Sequence, residues 1–347
     1  MAKSIAIGVI TDAAGPHLEA YLSALGSCQG VDQVGLADPT GSAFDKARTL
    51  LTARFPKLQT FRDDRVMIET VRPKLALVTL EAYRAPEAIR RSLESGCHVL
   101  AEKPACVRPE DFEPLVRIAD SKHLHLMLAL ANRVAPPIEK ARELVAAGVL
   151  GKLYGADFHT IADQTRLGQP EYQRSWFASK AQAGGGFLIW LGIHWLDLVQ
   201  FISGDRIRQV CGFARNVGGQ PIEVEDAAVL ALQFEQGMVG TMHSGYYLDH
   251  GYHNHCKIWG AQGWLRCDLT SNEPLQWYST QAGAPAGIQT MQYTRKSNLY
   301  ARFVQAAVNC AREIDPPPVT GSEGLQVLKL VFALYRAAET RSVQTVA

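Results

Sequence analysis

The chain has 347 residues, 47% apolar and 20% charged, with 35 basic against 34 acidic side chains. That length is too great for one small core and suits two domains, while the balanced charge argues against a nucleic-acid or membrane partner and fits a small, roughly neutral ligand. Seven cysteines, at 28, 97, 106, 211, 256, 267 and 310, are scattered singly with no CxxC pair, which argues against a disulfide framework and a structural zinc module. No apolar run approaches the roughly 20 residues of a membrane span, and the N-terminus enters a strand pattern at once. The expectation is a soluble cytoplasmic protein.

The first third alternates short apolar runs with amphipathic segments: IAIGVI, a helix through HLEAYLSAL, VGLAD, a helix through AFDKARTLLTARF, then LALVTL. It continues with a helix through APEAIRRSLES, the strand HVLAEK, a helix from Pro109 to about Asp120, and the strand LHLMLAL. This alternation predicts a doubly wound parallel sheet of six strands, five of them placed in these runs, with crossover helices, an α/β Rossmann-like domain over residues 1–130. Beyond it, a helix through PPIEKARELVAAG leads into KLYGADFHTIAD, whose period of two is that of a half-buried strand. The segments AAVLALQFEQGMVGTMHSGYY, CKIWGAQGWLRCDL and LQWYS read as antiparallel strands with glycine turns. Residues 131–347 are therefore expected to form an α+β domain with a large, mostly antiparallel open sheet, its last helix, Gly324 to Thr340, packing back near the first domain. QAGAPAGIQT reads as a surface loop.

Four motifs carry candidate chemistry. Asp38, in VGLADPT, stands where a Rossmann sheet places a carboxylate for the adenosine ribose; that would favour NAD over its 2′-phosphorylated form, while Asp-Pro is also ordinary turn chemistry. HVLAEKPACV sets Glu102, Lys103 and Pro104 at the carboxyl edge of the sheet, where Lys103 is either a desolvated acid/base group or a snorkelling loop cap. AGGGFLIWLGIHWLDLVQF runs three glycines into a buried helix that places Trp190, His194 and Asp197 along one stripe. The run Gly184 to Gly186 permits close approach of a ligand or another strand. Finally, HSGYYLDHGYHNHCKIWG places His253 and His255 on one strand face, with His243 and His250 near. These residues, with Tyr246 or Tyr247, either line a face that binds sugar hydroxyls or are exposed polar positions. With no carboxylate motif to complete the set, no metal is expected.

The order of these elements, a Rossmann pattern, EKP, Asn132 and Arg133, then GGGxLxxxGxHxxD, resembles the Gfo/Idh/MocA oxidoreductase family over nearly the whole chain. EDAAVLALQFEQGMVGT and the closing GLQVLKLVFALYRAA agree. The resemblance implies a cytoplasmic homodimer or homotetramer formed through the open sheet, using NAD (NADP less likely) to oxidise or reduce a secondary alcohol of a sugar, sugar acid or cyclitol. It implies Lys103 and His194 as the catalytic acid/base pair. It also implies a cofactor site of Ile10, Thr11, Asp12, Ala13, Asp38, Thr79, Glu102 and Lys103.

The departures from the family pattern are specific. Trp190 stands where an aspartate precedes the histidine by four; with Trp176 as a second wall, its indole offers a platform for the CH face of a pyranose. Arg84, in VTLEAYRAP, replaces a common histidine and would clamp an anionic group of the ligand. Together with Tyr246 and His253 these form the expected substrate site. Thr11 and Ala13 occupy the first two glycine positions of the phosphate turn, which is about two residues short if His17 matches the histidine that often follows it. The helix N-terminus would still attract phosphate, whereas Asp12 would repel it. These changes keep two alternatives open: an NAD-dependent glycosidase that oxidises its substrate transiently, and a binding or regulatory protein without hydride chemistry.

Overall fold

The computed structural model describes residues 3–248, 250–293 and 298–346. The chain divides into two compact units: Met1–Ala131, Ala181–Gly184 and Ser297–Leu325 form the first, and Asn132–Lys180, Gly185–Lys296 and Gln326–Ala347 the second.

The first unit is built on six parallel strands, β1 (Ile5–Thr11), β2 (Val31–Ala37), β3 (Gln59–Phe61), β4 (Leu75–Thr79), β5 (His98–Ala101) and β6 (Leu126–Leu128), in the order β3-β2-β1-β4-β5-β6. β4, β5 and β6 are buried along their whole length, as a parallel sheet covered on both faces requires, which is why they read as unbroken apolar runs. β3 has no such run, because its three residues sit at the sheet edge and stay partly exposed. Strand order reverses at β1 and β4, the switch point where open α/β sheets bind ligands at their carboxyl ends. The helix Leu299–Ala311 also belongs to this unit and packs on the helix Leu18–Ser27. Its apolar side chains at Phe303, Val304, Ala307, Val308 and Ala311 are buried at helical spacing.

The second unit carries nine strands: β7 (Leu153–Asp163), β8 (Ile207–Arg215), β9 (Ala227–Phe234), β10 (Val239–Leu248), β11 (His253–Gly260), β12 (Gly263–Cys267), β13 (Leu275–Ser279), β14 (Gln289–Met291) and β15 (Gln344–Thr345). Their order is β14-β13-β12-β11-β7-β10-β9-β8-β15. Every neighbouring pair is antiparallel except β7 and β10 at the centre. One face is packed: Ala156, Phe158, Thr160 and Ala162 of β7, Met242 and Tyr246 of β10, and Cys256 and Ile258 of β11 are all buried on it. The alternate residues form the open face.

The glycine-led segment is not one uniform helix. Leu188–Gly192 winds as a π-helical turn before the α-helix Ile193–Ser203 begins, a local geometry that recurs at functional sites. The helical stretch Lys180–Ser203 is long and apolar enough, by length and composition, to cross a membrane, which corrects the expectation from apolar runs alone. Of its apolar window 72% is buried within the protein, the burial of a core helix.

Candidate active site

The phosphate turn is rebuilt from side chains. Asp12, almost fully buried, accepts a hydrogen bond from Ala14 N at 2.9 Å, and Gly15 N donates to its carbonyl at 3.2 Å, closing a compact Asx-type turn. Thr79 donates its hydroxyl to Pro16 O. An added Cβ on Gly15 would meet Thr11 Oγ1 at 2.3 Å and Thr79 O at 2.6 Å, so this one retained glycine is required by close approach. Thr11 and Thr79, both fully buried, thus brace the turn from beneath. The expected repulsion by Asp12 is corrected by its partner: Arg84, 72 positions away, makes an ion pair with the Asp12 carboxylate. Arg84 is therefore engaged at the cofactor turn, not held in reserve as the substrate clamp expected from sequence.

Beside the turn lies a cavity of about 300 Å³ at the carboxyl ends of β1, β2 and β4, floored by Ile10, Thr11, Ala37 and Leu80. Its walls carry Arg62, Arg65, Arg84 and Arg91 together with Asp63 and Asp64. Arg91 pairs with Asp64, and Arg62 donates to Pro39 O at 2.9 Å. Arg84 is balanced by Asp12 and Glu81 and Arg91 by Asp64 and Glu87, which leaves Arg62 and Arg65 as the wall cations available to a phosphate-bearing ligand, with Asp63 beside them.

Asp38 has the turn role. Its carboxylate, fully buried, accepts from Thr40 N (2.9 Å), Thr40 Oγ1 (2.8 Å), Ser42 Oγ (3.0 Å) and Ala43 N (2.8 Å). These donors fill the roughly four lone-pair sites of a carboxylate, so in this structure Asp38 has the turn chemistry that Asp-Pro offered beside the ribose role. Burial opposes its ionisation, but the hydrogen bonds from Ala43, Thr40 and Ser42 outweigh it and hold the carboxyl below its ordinary range. Asp38 thus places a fixed negative charge behind the β2 end of the cavity.

Glu102 and Lys103 leave β5 almost completely buried, at 3% and 2% exposure. Glu102 is turned inward: Tyr21 donates to it, and His17 Nδ1 lies 3.3 Å from Oε1. Tyr300 packs edge-on against Tyr21 at 5.1 Å and lies 5.5 Å from the His17 ring. Glu102 therefore ties the start of the first helix to the strand that delivers Lys103. Of these, His17 follows the phosphate turn where the family pattern often has a histidine, whereas Tyr21 and Tyr300 carry no motif that would have marked them.

In the second unit the glycines admit protein, not ligand. An added Cβ on Gly186 would lie 2.0 Å from the Glu225 carbonyl oxygen. The Glu225 carboxylate accepts from Gly186 N (2.7 Å), Leu188 N (2.9 Å) and the Tyr335 hydroxyl (2.9 Å), satisfying amides at the helix start. Burial raises its pKa despite those bonds. Asp197 is likewise committed, held by a buried two-pronged pair with Arg133 at 2.9 Å (Nε) and 2.6 Å (Nη2).

Trp190 and Trp176 do come together, with ring centroids 5.8 Å apart and edge-on. Phe177 completes the group at 4.0 Å from Trp176 and 4.5 Å from Trp190. Trp176 is buried and Trp190 only half-buried, so Trp190 supplies the accessible indole and Trp176 supports it. No acceptor reaches the buried Trp176 Nε1 among the described residues. His194 is half-buried, one residue into the α-helix that follows the π turn. Lys103 and His194 belong to different units.

The remaining two expected substrate residues separate. Tyr246, on the packed face of the sheet, lies 4.6 Å from Phe187 in a cluster with Ala162 and Leu167, and Arg166 reaches its hydroxyl at 3.5 Å and stacks over its ring. His253 is exposed on the opposite, open face. One side of a sheet cannot present both, so the expectation that they line a common sugar-binding face is corrected. Arg166 and Tyr172 are the neighbours that sequence reading left unnamed in the ADQTRLGQPEYQRSW segment; that segment folds into three short helical turns, Thr165–Gly168, Pro170–Gln173 and Trp176–Ala178.

Comparison with known proteins places this architecture. Residues 7–130 match the profile described as oxidoreductase family, NAD-binding Rossmann fold, and residues 138–266 match the GFO/IDH/MocA C-terminal domain. D-glucoside 3-dehydrogenase of Escherichia coli K12 is 24% identical over 304 residues, 84% of each chain. Among solved structures, an oxidoreductase domain protein from Kribbella flavida superposes with a TM-score of 0.89 at 24% identity, covering 99% of this chain and 100% of that one. The WlbA dehydrogenase of Bordetella pertussis, solved with NADH and UDP-GlcNAcA, gives 0.83 at 19%, covering 99% of both chains; at such identities the likeness is one of fold. With the two domain profiles matched in chain order across both sheets, the chain belongs to the Gfo/Idh/MocA family of oxidoreductases.

Proposed function

We propose that this protein is an NAD-dependent oxidoreductase acting on a secondary alcohol of a sugar, sugar acid or cyclitol. The observation that carries the reading is the arginine-walled cavity at the β1/β4 switch point, where Arg84 neutralises the one acidic side chain of the phosphate turn. A relative named D-glucoside 3-dehydrogenase and a solved structure of the same fold holding UDP-GlcNAcA support the substrate class. The fixed charge of Asp38 opposes a 2′-phosphate and so favours NAD over NADP.

NAD, when bound, exchanges a hydride with the carbinol carbon of the substrate. Lys103 and His194 supply the matching proton transfer: in oxidation one of them takes the hydroxyl proton as the C–H electron pair leaves and the carbonyl forms, and in reduction one returns it. Lys103 is almost completely buried, so its amine would meet the substrate hydroxyl away from bulk water. Trp190 offers the apolar face on which the CH side of a ring stacks. Residues 1–130 would bind the dinucleotide, and residues 131–347 the substrate.

We read the open face of the second sheet as the contact between copies of a cytoplasmic homodimer or homotetramer. Phe213 (66% exposed), Val229 (47%), Val239 (59%) and Trp259 (38%) offer apolar area there.

The test is a panel of sugars, sugar acids and cyclitols with NAD, followed by Lys103→Ala and His194→Ala on the best substrate. Each variant should lose at least about 100-fold in kcat, and His194→Ala should keep cofactor binding. Full turnover by both would overturn the assignment, and glycoside cleavage without net NADH would select the transient-oxidation alternative.

A further inference from the structure

The open face of the second sheet holds a histidine row that the active-site reading does not use. His243 of β10, His159 of β7 and His255 of β11 stand opposite one another across three neighbouring strands. The His159 and His255 rings stack at 4.5 Å and 19°. Two residues along β7, on the same face, Asp157 turns Oδ1 towards both: His159 Nε2 is 3.3 Å from it and His255 Nε2 3.6 Å. All three donor atoms lie within 4.8 Å of one another. The sequence displays His255 without a carboxylate beside it; the strand pairing supplies both Asp157 and His159 from about 100 positions earlier.

We propose that Asp157, His159 and His255 form a binding site for a transition-metal dication of the zinc class. Ligands at about 2.0–2.1 Å around a tetrahedral ion place neighbouring donor atoms about 3.3–3.4 Å apart, close to the two distances already present. Two imidazole nitrogens and one carboxylate oxygen are a donor set that suits Zn²⁺, Co²⁺ or Ni²⁺ better than Mg²⁺ or Ca²⁺. The outer shell is also built. Thr241 Oγ1 donates to Asp157 Oδ2 at 2.8 Å, fixing the carboxylate so that Oδ1 faces the imidazoles. Neighbouring cations are drawn elsewhere: Lys257 lies over Trp264 and Trp259 at 4.4 and 5.3 Å, and Arg266 bonds Asp268 at 3.3 Å. Asp157, His159 and His255 are each about one third exposed in the single chain, which leaves room for a fourth ligand, supplied by water or, where the open face joins two copies, by the second copy. The proposal is independent of the cofactor reading.

The test is titration of chelator-treated protein with Co²⁺, read by its visible absorption, then displacement by Zn²⁺. One Co²⁺ per chain should bind with the strong visible bands of a tetrahedral nitrogen and oxygen site. His159→Ala and Asp157→Asn should each weaken it at least 100-fold, and Thr241→Val about 10-fold. His253→Ala, an exposed histidine on the same face, should leave it unchanged. His255→Gln serves as a second ligand variant should His159→Ala fail to fold. Absence of stoichiometric binding, binding unaltered in the ligand variants, or thiolate charge-transfer bands pointing to a cysteine would overturn the proposal.

Discussion

The two helix starts at which this family's sequence pattern concentrates glycine have gone opposite ways. At residues 11–17 only Gly15 remains, and the turn is held by Asp12, Thr79 and Arg84. At residues 184–188 all three glycines are kept, yet the space they leave is filled by protein: Val107 at Gly184, Tyr335 at Gly185 and Glu225 at Gly186. A glycine run therefore marks close approach of backbone to something, and the fold decides whether that is ligand or protein. The first start is controlled by charge, the second by packing.

The largest expected effect is at the packed start. Gly186→Ala should cost at or above the top of roughly 1–3 kcal/mol, because the new methyl meets backbone rather than a movable side chain. Denaturant unfolding checks this, and a loss under about 0.5 kcal/mol would mean the segment yields.

A second test separates burial from charge within the first sheet. His98, at the start of β5, is 3% exposed, and its Nδ1 accepts from His125 N at 3.0 Å. Burial, with Lys74 and His125 nearby, lowers its pKa to about 4. The unfolded chain therefore binds the proton first as pH falls. Stability from this group is full above about 6.5 and is lost between there and about 4, by up to about 3 kcal/mol. His98→Gln should flatten that part of the stability profile; an unchanged slope would contradict the account.

The smallest effect belongs to the charged start. Arg84→Ala leaves Asp12 facing the phosphates and should weaken NAD binding about tenfold, a loss of about 1.4 kcal/mol. Arg84→Ala with Asp12→Asn should recover most of it. If the single variant binds as the parent does, the ion pair plays no part in cofactor binding.

The long apolar strands, the crossover helices and the open sheet were legible because burial on two faces or one leaves a period in the sequence. β3 was not, being short and half-exposed, and the helix Leu299–Ala311 went unread although its buried side chains repeat at helical spacing. At the site, the positions of Lys103 and His194 follow from motif order. The partners of Asp12, Glu102 and Asp197 do not, because Arg84, Tyr21 and Arg133 are 64 to 81 positions away and nothing local ties them together. The separation of Tyr246 from His253 depends on which face each strand residue takes, and a parity of that kind is set only once register is known.

The central claim is that a phosphate turn rebuilt from side chains still holds the dinucleotide. Calorimetric titration of nucleotide-stripped protein with NAD and NADP tests it most directly. The account predicts micromolar NAD binding with weaker NADP binding; failure to bind either nucleotide would contradict it.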